Sequence, residues 1–171
     1  MHIQTEAKIL AAQGLITGQF GIGTAIATND SGTQVWILSA AELKDLRQRL
    51  STNRFEVVWA PSITTEDRGG GGISFGKALP QTSAWVGISM VVSPKIISHE
   101  LQLEINAFYT EPNDSPTIPI RTNLSAAFRA KLSNAGGALI SSPVSRDLNG
   151  TNYWLILEST AVDGHDKPIK L

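Results

Sequence analysis

The alternation of apolar and polar residues is the feature that most constrains how this chain of 171 residues can fold. The longest alternating stretch covers residues 120–132, with an apolar residue or threonine at every second position and mainly polar residues between them. Shorter stretches of the same kind cover 86–92 and 101–107, the second following Ser93 and Pro94. Successive side chains of a β-strand point to opposite faces, so this period of two predicts strands with one buried and one wet face. We therefore predict a long antiparallel strand at 120–132 and a hairpin formed by the two shorter stretches.

Shorter apolar or β-branched segments elsewhere in the chain also predict strands. Glycine, asparagine and proline separate these segments, and such residues are typical of turns. We expect turns at 29–32, at the four glycines 69–72 and at 134–137, and an exposed loop over 110–119. The predicted shorter strands are 3–10, 22–28, 35–38, 55–60, 62–66, 73–77, 138–142 and 153–162.

One segment has the period of an amphipathic helix. Ser39 can cap the helix, while Glu42, three residues later, reaches back to the free amide of the cap. Leu43, Leu46 and Leu50 then share one face, and charged or polar residues cover the other. We predict a short surface helix whose leucine face packs on a sheet. The predicted fold class is therefore α+β, mainly antiparallel β, with a β-sheet or sandwich that carries one amphipathic helix.

Size and composition predict a single folded domain. With 42% hydrophobic residues the chain can bury a sizeable core, and we expect one domain over 1–171 with a possible small appendage at 1–34. A formal net charge of −1 and the lack of a basic cluster argue against nucleic acid or an anionic membrane surface as partner. No apolar run reaches the roughly 20 residues of a membrane-spanning helix. Because a predicted strand follows Met1 directly, we also expect an exported protein whose natural leader is replaced by this start methionine.

The sequence offers few residues for metal or cofactor binding. It contains no cysteine, which excludes disulfides, thiolate ligands and a cysteine nucleophile. Residues 21–23 begin like a dinucleotide-binding fingerprint but lack its third glycine, and the glycines at 69–72 lack the Lys-Ser/Thr ending of a phosphate loop. His2, His99 and His165 lack the spacing and the neighbouring carboxylates of a metal site, so we expect them to be exposed to solvent. We predict no metal and no organic cofactor.

Catalytic residues are equally hard to find. No serine lies in a Gly-x-Ser-x-Gly elbow. Glu100 and Glu104 share a strand face with Gln102 and could imitate a catalytic carboxylate pair, although an ordinary wet face produces the same pattern and is the preferred interpretation. We predict no catalytic residues and no enzymatic activity.

Four tryptophans could form a platform on which sugars stack. Each lies in or beside an apolar strand, where packing in the core is the commoner outcome. A stand-alone β-sandwich surface or adhesion module, with glycan binding as its activity, is nevertheless the alternative function to test. The tryptophans are Trp36, Trp59, Trp85 and Trp154.

Several short motifs occur in a distinctive order along the chain. An extended Ala-Pro-x-x-Thr-Thr segment at 60–65 follows the helix, a strand written Val-Gly-Ile-Ser-Met-Val-Val-Ser-Pro lies at 86–94, and the long strand leads to a Gly-Gly turn. In this order the motifs resemble the C-terminal domain of bacterial secretins, the outer-membrane family of type II secretion and type IV pili. The opening strand at 3–10 and the closing segment at 153–169 also look like their secretin counterparts. The motif residues, with an expected structural role, are Ala60, Pro61, Thr64, Thr65, Val86, Gly87, Pro94, Gly136 and Gly137.

Secretins, as the resemblance implies, are outer-membrane rings that export pili or folded proteins. For this chain the resemblance implies a non-catalytic envelope protein, periplasmic or outer-membrane-associated, that is a structural or accessory component of a type IV pilus or protein secretion machine. It also implies protein partners in the envelope and self-association through exposed strand edges.

The chain departs from the secretin pattern before its last strand. In secretins a longer segment at this place supplies a lip that touches the membrane, whereas the segment 143–151 is short and turn-rich and contains Arg146 and Asp147. Such a segment cannot form the apolar band that a lipid-facing surface needs. We therefore predict that this chain does not insert into a membrane by itself.

Overall fold

The computed structural model describes residues 1–13, 27–28, 33–52, 55–80, 84–113, 120–141 and 150–171. Within these ranges eleven β-strands and one α-helix form two antiparallel sheets with the helix packed on one of them, which confirms the predicted fold class. The elements are β1 His2–Gln13, β2 Ala27–Thr28, β3 Gln34–Leu38, α1 Ala40–Thr52, β4 Glu56–Trp59, β5 Ser62–Glu66, β6 Gly71–Ala78, β7 Trp85–Ile97, β8 Glu100–Pro112, β9 Ile120–Leu132, β10 Gly136–Ser141 and β11 Thr151–Val162.

The seven-stranded sheet has the strand order β2-β3-β10-β11-β1-β4, with β5 also paired to β1. Its centre is the pair β1 and β11, whose antiparallel register has no break along either strand. The other side of β1 is shared, because β5 pairs with its first half and β4 with its second half. Ala60 and Pro61 link these two strands, and the Pro61 carbonyl accepts a hydrogen bond from the Ala7 amide at 2.9 Å. The predicted strands on either side of Pro61 are therefore confirmed.

The four-stranded sheet has the order β6-β7-β8-β9, so its strands are neighbours in sequence as well as in space. The predicted hairpin between the alternating stretches is confirmed as β7 and β8. Its turn, however, lies at Ser98 and His99, which both have positive φ. Ser93 and Pro94 lie inside β7, where Pro94 is opposite Leu103.

Pro94 fits inside β7 because its backbone faces a side of the strand that no described strand occupies. Strand β6 begins only opposite Val92. On that side the Pro94 carbonyl accepts a hydrogen bond from the Arg68 amide at 3.0 Å, and the Ile96 amide donates to Asp67 Oδ1 at 2.7 Å. The missing N–H of proline therefore interrupts no bond to β8, and the strand continues through it.

Helix α1 begins with the predicted cap. The Ser39 amide and hydroxyl donate to the Glu42 carboxylate at 2.8 and 2.7 Å, and the Glu42 amide donates to Ser39 Oγ at 3.3 Å. The hydrogen bonds from the Ser39 backbone and side chain lower the pKa of Glu42. Leu43 and Leu46 are fully buried, as predicted, whereas Leu50 is only partly buried. The leucine face therefore packs most closely before the last turn of the helix.

Two hydrophobic clusters join the layers, which are stacked as helix, seven-stranded sheet and four-stranded sheet. Because the seven-stranded sheet is covered on both faces, its central strands β10 and β11 are buried almost throughout. The cluster beneath the helix is formed by Leu10, Ala12, Trp36, Leu38, Leu43, Leu46, Leu139, Trp154 and Ile156. The larger cluster between the sheets includes Ile3, Ile9, Met90, Leu101, Leu103, Ile105, Leu124, Leu132 and Leu155.

The turns predicted at glycine runs lie just before the glycines. Asp67 and Arg68 form the turn between β5 and β6, and Asn134 and Ala135 form the turn between β9 and β10. Arg68 and Ala135 have φ values of 62° and 59°. Both turns carry the chain from one sheet to the other. The prediction of a hairpin turn at 69–72 was therefore wrong, and Gly71 already belongs to β6.

The regular alternation predicted for β9 is broken at one end. The register between β8 and β9 shifts between Tyr109 and Thr110, so one extra residue of β9 is accommodated in a bulge. The extra residue is Asn123, which is only 1% exposed, and beyond it Arg121 is opposite Glu111. The prediction that Arg121 and Asn123 lie on the wet face was therefore wrong.

Some predictions fall outside the described residues. These are the run 21–23, nearly all of the strand at 22–28 with its turn at 29–32, and most of the segment 143–151. The loop predicted at 110–119 is shorter than expected, since β8 continues to Pro112, and residues 114–119 also lie outside the described part. Helix α1, the helix that the described residues contain, has neither the length nor the apolar run needed to span a bilayer.

Candidate functional site

The four-stranded sheet has two edge strands, β6 and β9. Among the described strands, β6 pairs only with β7 and β9 only with β8, so each leaves a row of backbone N–H and C=O groups outside any ladder. On β9, the Ser125 carbonyl accepts a long hydrogen bond of 3.4 Å from the Thr33 hydroxyl. Edge strands that can take up a further strand, as the sequence predicted, are therefore present in this sheet.

Exposed apolar side chains lie on and beside the β6 edge. Phe75 of β6 is 74% exposed, although its register partner Ile88 is buried. On the opposite face, Val91 and Phe108 are exposed, and the Phe108 and Trp85 rings form a T-shaped contact with centroids 5.8 Å apart. Apolar groups beside an open strand edge are typical of surfaces that pair with another chain.

Paired glycines hold β6 close to β7. Gly76 is opposite Gly87, and Gly87 has a φ of 143°. A Cβ atom at Gly87 would overlap the Phe75 carbonyl, and one at Gly76 would overlap the Trp85 ring. The Gly87 amide also donates a hydrogen bond to Thr110 Oγ1 at 3.1 Å. Glycine at position 87, a motif residue next to buried Val86, is therefore required by the close backbone contact.

The two glycines of β10 have different neighbours. A Cβ atom at Gly137 would overlap the Leu157 carbonyl of β11 and would lie 3.2 Å from both terminal methyl carbons of Leu43, so glycine allows β11 and α1 to lie close to β10. A Cβ atom at Gly136 would lie 2.6 Å from Ser133 Oγ in the preceding turn. Both glycines therefore serve packing around the point where the chain changes sheets.

The threonines of the Ala-Pro-x-x-Thr-Thr segment point to opposite faces of β5. Thr64 is exposed opposite Gln4, whereas Thr65 is buried opposite Ile3, and its hydroxyl has no hydrogen-bond partner within the described residues. The predicted motif residues thus lie at the β4–β5 link, in β5, in β7 and in β10. The structure does not gather them into one site.

A polar network that the sequence did not reveal lies at the β9 bulge. Glu111 accepts hydrogen bonds from the Tyr109 hydroxyl, from Arg121 Nη2 at 2.9 Å and from Asn123 Nδ2 at 2.6 Å. Arg121 Nε also donates to Asn123 Oδ1 at 2.9 Å. The Tyr109 ring contacts the ring of Tyr153 in β11, with centroids 5.5 Å apart. The network therefore joins the end of the four-stranded sheet to the seven-stranded sheet.

The network has a defined protonation state. Burial, the hydrogen bond to Glu111 and the charge of that carboxylate raise the pKa of Tyr109. Burial alone would raise the pKa of Glu111, but the hydrogen bonds from Tyr109, Arg121 and Asn123 outweigh it and lower the pKa. At neutral pH the network therefore pairs a neutral phenol and an arginine with an ionised carboxylate.

The carboxylates and histidines that the sequence singled out are dispersed. Glu104 and Glu100 form ion pairs with Arg129 and Lys131 of β9 at 2.9 and 3.0 Å, which agrees with a wet strand face. His99 and His165 are exposed, as expected, whereas His2 is partly buried in β1. In the part of the chain that the structure describes, no three His, Cys, Asp or Glu side chains are grouped as metal ligands would be.

The four tryptophans lie in different environments. Trp36 and Trp154 are buried beneath α1, as predicted. Trp59 of β4 and Trp85 of β7 are half-buried and belong to different sheets. A single stacking platform built from all four is therefore absent from the described residues.

The site and the fold define a class of protein: within the described residues, a β-rich chain of two stacked sheets with edge strands, covered by one helix. No family model matches the sequence, and no curated protein matches it either. Among solved structures, the chain is similar to the type II secretin GspD from enteropathogenic Escherichia coli, with 15% identity, 96% of this chain and 67% of that chain covered, and a TM-score of 0.49. It is also similar to a chain of the Klebsiella pneumoniae type II secretion system outer membrane complex of PulD, PulS and the PulC HR domain, with 16% identity, 92% and 37% covered, and a TM-score of 0.39. Similarity of this extent does not assign the chain to a family.

Proposed function

We propose that this chain is a secretin-related structural component of the bacterial cell envelope, which associates with other protein subunits through the edge strands of its four-stranded sheet. The observation that carries the proposal is the edge of β6, where Phe75 is 74% exposed beside backbone groups that lie outside any ladder of the described strands. The secretin-like order of the motifs at 60–65 and 86–94 supports the same assignment.

Strand addition explains how such an edge would bind a partner. An incoming strand supplies backbone hydrogen bonds to the free N–H and C=O groups, and side chains such as Phe75 add apolar contact and select the partner. An edge strand of a second copy of this chain can supply both the backbone hydrogen bonds and the apolar contact. Self-association through β6 and an edge of a neighbouring copy is therefore the first interaction to test.

The finer assignment follows the secretin resemblance. In this proposal residues 1–171 act as one domain of a type IV pilus or protein secretion machine, in the periplasm or at the outer membrane, without catalysis. The nine motif residues have structural roles in it, as the packing of Gly87 and Gly137 supports.

Sedimentation velocity over a range of concentrations tests the proposal. Wild-type protein should form assemblies larger than a monomer, and Phe75→Lys should weaken this association by about tenfold, because a charge on an edge strand opposes strand pairing. Val57→Lys is the matched control, since Val57 is also exposed, at 55%, but lies on the seven-stranded sheet. A wild-type protein that stays monomeric at its highest soluble concentration, or equal effects of both variants, would contradict association through β6.

A further inference from the structure

A groove of about 600 Å³ lies on the four-stranded sheet, on the face that points away from the seven-stranded sheet. Lys95 of β7, Lys131 and Arg129 of β9, and Arg68 of the β5–β6 turn surround it, and Gln102 and Glu104 of β8 form its floor. Four cationic side chains thus surround the groove, with the Glu104 carboxylate in its lining and those of Asp67 and Glu100 beside it, in a protein whose net charge is −1. We call this surface the basic groove.

Two of the four cations are available to a partner. Lys95 forms no ion pair within the described residues, and the acidic atom that pairs with Arg68, Asp67 Oδ2, is 3.9 Å away. The remaining two cations pair with Glu104 and Glu100 at the surface, with 80% of the Arg129 side chain and 66% of the Lys131 side chain exposed. Exposed ion pairs of this kind are weak, so an incoming carboxylate can replace the internal one.

The backbone holds the available cations next to each other. The Arg68 amide donates to the Pro94 carbonyl at 3.0 Å, and Asp67 accepts from the Ile96 amide at 2.7 Å, so the β5–β6 turn is fastened along β7 on both sides of Lys95. Across the sheet, Lys95, Gln102 and Lys131 lie in register. An amide donor therefore lies between two ammonium groups, beside a guanidinium that can bind a carboxylate through two parallel hydrogen bonds.

We propose that the basic groove binds an acidic, extended segment of a partner protein. A peptide can place its carboxylates beside the cations and keep them away from Glu100 and Glu104, whereas an anionic membrane surface would meet those carboxylates as well. Membrane-binding basic surfaces also carry apolar anchors beside the cations, and none of the described residues that line this groove is an exposed large apolar side chain. The inference deepens the proposed function by naming the chemistry of a partner, and it uses a sheet face that self-association through the β6 edge does not require.

Fluorescence anisotropy with a labelled peptide of alternating glutamate and serine tests the proposal. The full chain should bind this peptide at low salt, binding should weaken as salt is added, and a peptide of alternating lysine and serine should not bind. The double variant Arg68→Gln/Lys95→Gln should weaken binding about tenfold, because it removes two charge contacts. The double variant Lys8→Gln/Lys44→Gln, which removes two exposed cations elsewhere, is the matched control and should bind as wild type does.

Two further measurements keep the outcome interpretable. Lys95→Arg should retain binding, and sedimentation of Arg68→Gln/Lys95→Gln should show unchanged self-association, so loss of peptide binding is separable from failure of the β6 edge. Equal loss in both double variants, or no binding of the acidic peptide by wild type, would overturn the proposal. Stronger binding of the same groove to phosphatidylglycerol vesicles than to the peptide would overturn it in favour of a lipid surface.

Discussion

A single backbone angle at Gly87 determines how close β6 lies to β7. The φ of 143° is readily adopted only by glycine, and the Phe75 carbonyl occupies the space that a Cβ atom would need. Gly76 lies opposite and leaves room for the Trp85 ring to cover the backbone of β6. The sequence predicts both glycines inside strands, and the structure shows that the close contact between β6 and β7 requires glycine at these positions.

Gly87→Ala should destabilise the protein by at least about 2 kcal/mol, because it combines backbone strain with steric overlap. Gly164→Ala is the control, since nothing lies within 4 Å of a Cβ atom at that position. Chemical denaturation of both variants measures the difference. A loss no greater for Gly87→Ala than for Gly164→Ala would show that β6 can move away from β7 at little cost.

Glu111 should make the stability of the fold depend on pH. Its pKa in the folded protein is lowered from the usual 4.5, because hydrogen bonds from three donors outweigh the effect of burial. A carboxylate whose pKa is lower in the folded than in the unfolded state stabilises the fold at pH values above its unfolded-state pKa. This contribution is lost as the pH falls through the folded-state pKa.

Glu111→Gln should therefore be less stable than wild type at pH 7, and the difference should shrink as the pH falls from about 5 to about 3. Urea denaturation at several pH values measures this. Glu66→Gln, a change at an exposed carboxylate, is the control and should differ little from wild type throughout. A stability difference for Glu111→Gln that is independent of pH would argue against a charged role in the network.

At the scale of elements, the helix is held by its first turns. The cap at Ser39 fixes where α1 begins, and Gly137 of β10 lets Leu43 approach the sheet. Leu46 is buried in the same cluster with Trp36 and Trp154. Packing on the sheet, rather than helix propensity alone, therefore stabilises α1.

Leu46→Ala should cost about 2–5 kcal/mol, because it removes buried methyl groups and leaves a cavity between helix and sheet. Lys44→Ala should cost little, since Lys44 is exposed on the other face of the same helix. Thermal melts of the two variants make the comparison. Equally small shifts would mean that the leucine face does not hold the helix.

The sequence predicted correctly those elements in which one hydrophobic periodicity dominates. It failed to predict the features that depend on tertiary contacts. Helix α1 and strands β7, β8 and β9 follow from local patterns of leucines and alternating residues. The bulge opposite Tyr109 does not, because Arg121 and Asn123 look like wet-face residues until Glu111 is placed across the strand pair. Pairing between distant segments is invisible to a local pattern, so the polar network was missed with it.

The open strand edges were predicted through the secretin resemblance, but the turn that leads into β6 was placed incorrectly. Gly69 to Gly72 looked like a hairpin turn, whereas Asp67 and Arg68 make the change of direction and carry the chain to the second sheet. A glycine run marks where a turn is sterically easy, and it does not say which strands the turn connects. The basic groove includes this crossing, since the β5–β6 turn holds Arg68 beside Pro94, the residue before Lys95.

At the scale of the whole molecule, the two faces of the four-stranded sheet have different surroundings. One face packs on the seven-stranded sheet. The other face is open, and its charged and apolar side chains lie at different positions along the strands. Lys95 and Arg129 lie towards one end of the open face, and Val91 and Phe108 lie nearer the other, among serines and glycines. The open face is therefore neither uniformly apolar nor uniformly charged, which suits contact with protein surfaces.

This distribution, together with the polar segment 143–151, predicts that the chain does not insert into membranes by itself. Moving charged groups such as Lys95 and Arg129 into hydrocarbon costs several kcal/mol each, whereas burying Val91 and Phe108 would return only about 3–6 kcal/mol together. Insertion is therefore unfavourable unless other subunits cover the charged end. The purified protein should remain soluble without detergent, fail to float with liposomes and release no dye from them, with a pore-forming peptide as the positive control. Dye release at low protein concentration would contradict this and would show that the open face of the four-stranded sheet can meet lipid after all.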